Sequence, residues 1–220
     1  MIPNCTITRQ EILRAEDLFG PNLGKVKGNI TRCPTQHVNI TRSKIPSEIL
    51  EKYGKVTLAI DIMAINTIPF MITTPRKIHF GTAKLIWDKT KKTLITSIQQ
   101  VVRTYQARGF KVCNILADGG FKCIRNNLAD MGITQNVASR NEHVPEVERC
   151  LRAIKERVRA IVSALPFNRY PPRLIMEMVY NAVFWLNTFP NKDGVHATIS
   201  PRILITGLAI DYQKLQIESA

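Results

Sequence analysis

The chain has 220 residues, of which 45% are hydrophobic and 22% charged, enough for one sizeable core and a small appendage. Lys and Arg total 31 against 17 Asp and Glu, so the formal charge is +14 and the pI near 9.9, which favours an anionic partner, with nucleic acid the commonest. No run of 18 apolar residues occurs and the N-terminus has no apolar signal-like stretch, so neither a membrane span nor a membrane partner is expected.

Residues 1–55 have weak periodicity and are interrupted by Pro3, Pro21, Pro34 and Pro46, so they read as an irregular leader. One short helix is predicted over 46–53, with Ser47 near its start. At residue 56 the pattern changes. Residues 56–65 are nearly all apolar apart from Thr57 and Asp61, as in a strand buried on both faces. Asn66-Thr67 reads as a turn, and strands over 68–73 and 78–86 complete an antiparallel meander. Leu94, Ile98, Val101 and Tyr105 recur on one helical face within 91–108, closed by Gly109. A strand over 110–117 ends on Asp118-Gly119-Gly120. A short helix over 121–131 and a brief strand over 133–138 follow.

The clearest helix begins at Pro145, with Val147, Leu151, Ile154, Val158, Ile161 and Leu165 spaced alternately four and three. A last helix over 172–187 is apolar on most sides, and the tail from Phe189 is loop-rich. The predicted class is α/β: a mixed sheet of three antiparallel strands plus parallel strands, flanked by helices, in the order of the RNase H-like fold. The domain reading is a leader over 1–55, a core over 56–190 and an extension over 191–220.

The five cysteines, Cys5, Cys33, Cys113, Cys123 and Cys150, are odd in number and form no C-x-x-C pair. Reduced thiols in an intracellular compartment fit that pattern. Cys33 and His37 stand four apart and could share a metal, but no second pair supplies the two further ligands zinc needs.

Two carboxylates carry the chemistry. Asp61 lies inside the most apolar strand, where an ionised group needs a cation or several hydrogen bonds. Asp118 ends the strand after the crossover helix, where ligands of open α/β sheets gather. Each alone has an ordinary structural explanation, a capped strand end for one and an Asp-Gly turn for the other. In the predicted strand order they converge, and two hard divalent cations, Mg²⁺ or Mn²⁺, would relieve their repulsion. A third carboxylate is expected from the following helix, with Glu142, Glu146 and Glu148 as candidates. Glu148 shares one face with Arg152, Lys155 and Arg159, so a carboxylate and a row of cations lie together. A solvated face with intrahelical pairs is the alternative.

At these residues the chain resembles the integrase of copia-type retrotransposons. LAIDIMAIN and TIPF, within residues 57–70, are similar to that family's first catalytic strand and hairpin. ILADGGF, residues 115–121, is similar to the second block, and NEHVPEVERCLRAIKERVRA, residues 141–160, to the third. Asn187 and Ser200-Pro201 match a helix-end Asn and the turn after it. DLFGPNLGKVKG, residues 17–28, looks like the end of a pre-integrase region. The chain departs from the pattern in three places. The interval of 30 positions from Asp118 to Glu148 is short, the Asn-Gly-Gly-Glu part of the second block is reduced to Gly119-Gly120, and the family's zinc module is missing.

The resemblance implies a degenerate polyprotein fragment with Asp61, Asp118 and Glu148 as catalytic triad and metal ligands. It implies metal-dependent 3′-end processing and strand transfer. It also implies DNA contacts from Arg149, Arg152, Lys155 and Arg159. Its partners would be element ends and target DNA, with a possible homo-oligomer. The site of action would be the nucleus, or a cytoplasmic particle before nuclear entry. Two alternatives share the fold: a catalytically inactive nucleic-acid-binding or assembly domain, and an RNase H-like nuclease that cleaves without joining.

Overall fold

In the computed structural model the most apolar run of the sequence becomes the central strand of a five-stranded sheet. Residues 8–20, 42–137, 145–166 and 169–209 are described. The chain divides into two units, residues 1–40 and 41–220.

The first unit contributes helix α1, Arg9–Phe19, within a stretch expected to be irregular. A capping box starts it. The Thr8 amide donates to Glu11 Oε2 at 2.7 Å, and the Glu11 amide donates to Thr8 Oγ1 at 3.4 Å.

The second unit begins with helix α2, Ser47–Tyr53, and strand β1, Lys55–Ile65. A two-residue turn with positive φ at Asn66 and Thr67 leads into β2, Ile68–Pro75, as a tight antiparallel hairpin requires. Strand β3 covers only Thr82–Leu85, shorter than expected. Two features end the extended chain before Thr82: His79 takes φ 57°, and the side chain of Asn187, distant in sequence, occupies both backbone groups of Gly81. Helix α3, Lys91–Gln106, is capped by Thr90 and crosses to β4, Lys111–Ala117. A 3₁₀ turn over Gly119–Ile124 and helix α4, Arg125–Asp130, lead to β5, Thr134–Val137. Helix α5, Pro145–Ala164, helix α6, Pro172–Thr188, and the short helix α7, Pro201–Thr206, complete the unit.

The sheet order is β3-β2-β1-β4-β5, antiparallel from β3 to β1 and parallel from β1 to β5. This is the mixed α/β architecture read from the sequence. Each face buries its own core. Leu58, Ile60 and Ile115 face Leu94, Ile98 and Tyr105 of α3. Ala59, Met63 and Ile72 face Leu151, Ile154 and Val158 of α5 and Val179 of α6. The predicted α5 stripe is thus the buried one. The segments around α2 and α7 belong to the α3-side core through Ile49, Leu204 and Ile205. Arg108 ties them together, donating to the carbonyls of Ser43 at 2.6 Å and Leu204 at 3.1 Å. No helix among the described residues is long and apolar enough to cross a membrane.

Candidate active site

The period of two along β1 decides where Asp61 points. Ala59 and Met63 pack under α5 and α6, so Asp61 between them projects to that same face. Ile60 pairs with Ala117 in the parallel register of β1 and β4. Asp61 and Asp118 are therefore the next residues on neighbouring strands. The backbone of Asp118 is still extended, at φ −67° and ψ 165°, and Leu116 packs on the α5 side. Alternation carries Asp118 to that side as well.

Helix α5 supplies the rest. Val147 is buried, and Glu148, about 100° further round, looks toward β1. Lys155, seven residues on, returns to the same face. The electrostatics of Asp61 records this meeting. Burial pushes its carboxyl above the ordinary value, and the charges of Asp118 and Glu148 push the same way. The amide of Ile62, donating to Asp61 Oδ1 at 2.7 Å, and the charge of Lys155 oppose the rise. Asp61 and Glu148 are half-buried and Asp118 is exposed, so the cluster opens to the surface.

The helix separates the glutamates. Glu146 precedes Glu148 by two positions, about 200° of rotation. It accepts a hydrogen bond from Arg76 Nε at 2.8 Å. Burial alone would raise the Glu146 carboxyl, but the Arg76 bond, its own amide and the charges of Arg76 and Arg149 leave it below the ordinary value. Arg149 turns to this side too, toward a cleft of about 250 Å³ that Glu146, Cys150 and Asn187 also line. Arg149 is thus apart from Asp61, whereas Lys155 lies within its field. Arg152 and Arg159 are exposed on α5. Glu142, Cys5, Cys33 and His37 lie outside the described residues, as does most of the 17–28 segment.

Carboxylate oxygens suit hard divalent cations. Among the described residues, however, no three His, Cys, Asp or Glu side chains stand together closely enough to hold a metal ion. The local bonds explain part of the spread. Asp61 Oδ1 is held by the Ile62 amide and Asp118 Oδ1 by the Gly119 amide.

Two solved structures resemble this chain in backbone path. The catalytic core domain of BIV integrase superposes with a TM-score of 0.49 at 18% identity, over 68% of this chain and 93% of that one. The HTLV-2 integrase catalytic core domain in complex with magnesium, in a trimeric form, gives a TM-score of 0.49 at 14% identity, over 64% and 91%. No protein-family profile and no curated protein sequence matches the chain.

Sequence reading did not single out Arg76 or Asn187 as partners of the α5 side. Arg76 bonds Glu146 across 70 positions and Asn187 holds Gly81 across 106. Asn187 carried a signal in the family resemblance, whereas Arg76 carried none beyond its place in a turn.

Proposed function

We propose that the chain is the catalytic core of a copia-type retrotransposon integrase, carrying out metal-dependent 3′-end processing and strand transfer. The observation that supports this reading is the register of β1 against β4, which brings Asp61 and Asp118 to neighbouring positions on the face covered by α5. The three carboxylates come from a central strand, the end of its parallel neighbour and a packed helix, and their cluster opens to the surface. Asp61, Asp118 and Glu148 would hold Mg²⁺ or Mn²⁺, two ions in the full reading, and the ions would supply charge neutralisation for phosphodiester transfer. Lys155, with Arg152 and Arg159 along the helix, positions phosphates beside the carboxylates, which sets register without reading sequence. DNA ends and target DNA are the partners, a homo-oligomer brings two ends together, and the work belongs in the nucleus or in a particle on its way there.

The test is a Mg²⁺-dependent joining assay on a labelled duplex with intact protein and Asp118→Asn. Joined product from the intact chain and none from the variant is the expected result. Equal product from both removes Asp118 from the chemistry.

A second reading has its own observation. The three carboxylates do not close into a metal-holding group among the described residues. That spacing favours a nucleic-acid-binding domain on the same fold that has lost catalysis. Such a protein binds DNA with the same affinity with or without Mg²⁺ and joins nothing. An RNase H-like nuclease differs from both by cleaved product without joined product.

A further inference from the structure

At the opposite end of β1 from Asp61 lies a recess of about 410 Å³ between α2, the start of β1 and the turn after β2. Lys52, Lys55, Arg76 and Lys77 line it, and no carboxylate does. Lys111 of β4 does not line the recess but stands beside it, paired with Lys55 in the parallel register. Like charges placed directly opposite on neighbouring strands destabilise a sheet. Lysines often guard sheet edges against pairing, but β1 is the central strand, so that explanation does not apply here. Glu48 and Glu51 of α2 do not line the recess, and the guanidinium of Arg76 is anchored by Glu146. Three lysines and Arg76, already paired with Glu146, thus line a concave surface, and an anion would neutralise the lysines.

We propose that this recess is a second nucleic-acid contact, taking phosphates of a duplex segment remote from the reacting phosphodiester. The inference rests on the nucleic-acid side of the function proposed above and not on its catalytic side. Lys55 and Asp61 are six positions apart on one strand, a span of about 20 Å. At about 3.4 Å per base step, six steps of duplex reach from one to the other. Tyr53, whose ring lies 5.4 Å from Lys52 Nζ, holds one cation at the rim. A phosphate track explains the crowding better than a compact ligand, because the cations come from three separate segments along one side.

The experiment uses the full chain and a duplex oligonucleotide. Affinity is measured against salt for the intact protein and for Lys55→Gln/Lys77→Gln, both changes being at exposed side chains. Each phosphate contact contributes about 0.9 to the slope of log affinity against log salt, so the variant loses about 1.8. Between roughly 50 and 200 mM salt that is about 12-fold less salt sensitivity. Lysine acetylation read by mass spectrometry locates the contact. The duplex is expected to protect Lys52, Lys55 and Lys77, in the intact chain and in Asp118→Asn alike. An unchanged slope, or equal acetylation with and without duplex, overturns the proposal. Tripolyphosphate protecting these lysines where duplex does not overturns the nucleic-acid occupant in favour of a free polyphosphate. Strand transfer with an unprotected recess removes this site alone. A protected recess in a protein that joins no DNA removes the catalytic reading alone.

Discussion

Replacing Asn187 by Ala tests the joint that sets the short third strand and the edge of the cleft. The Asn187 side chain is 4% exposed, accepts from the Gly81 amide at 2.8 Å and donates to the Gly81 carbonyl at 2.7 Å. Truncation leaves both backbone groups without a partner beside a buried glycine. Each unpaired buried group costs about 1–3 kcal/mol. The neighbouring cleft of about 250 Å³ can admit water to part of the gap, so the lower half of the range applies. The expected loss is about 2–4 kcal/mol, read as a fall in the urea midpoint at unchanged slope. Asn187→Asp keeps the acceptor but loses the donor and buries a charge, so it should cost at least as much as Ala. A loss below about 0.5 kcal/mol for the Ala variant would show that the clamp contributes nothing.

Three further outcomes follow from the acidic residues and thiols. In metal-free protein, Asp61→Asn should stabilise the fold at neutral pH. The folded Asp61 carboxyl lies above its ordinary value, so its protonated form is the better folded one, and stability falls as pH rises from the unfolded pKa through the folded pKa. The gain over the intact chain should vanish at pH below the unfolded value, and urea melts that show the same difference at both pH values contradict it. Glu148→Gln should abolish strand transfer while Glu146→Gln retains it. Glu146 instead contributes stability above its unfolded pKa that is lost as pH falls through its lowered folded value, within the roughly 0.2–1 kcal/mol of an exposed pair. Two variants equally dead in the joining assay would undo the assignment of helix faces. Burial pushes the Cys150 thiol up to about 11, so native alkylation followed by peptide mass spectrometry should label exposed Cys123 well before Cys150. Equal labelling of the two would mean that Cys150 is open to solvent.

The parts of the fold that could be read in the sequence are those with short-range causes. The apolar run around Asp61 specifies a strand covered on both faces, and the structure places it at the centre of the sheet. The Val147 to Val158 stripe specifies the buried face of α5. That Glu146 and Glu148 point to different sides of α5 was also legible, because two positions on a helix turn a side chain through about 200°. Helix α1 was missed although its Thr-x-x-Glu capping box stood in the sequence, because its apolar pattern is weak. The truncation of β3 depends on Asn187, 106 positions away, and the tethering of Glu146 on Arg76, 70 positions away. No local pattern carries such pairings. The crowding of Lys55 and Lys111 appears only once the register of β1 against β4 is known.

The joining reaction itself bears most directly on the central claim. Full-length protein, a labelled duplex and Mg²⁺ are compared for the intact chain, Asp118→Asn and Glu146→Gln. The shared field of Asp61, Asp118 and Glu148 predicts joined product from the intact chain and from Glu146→Gln, and none from Asp118→Asn. Joined product from Asp118→Asn at the intact level would contradict it.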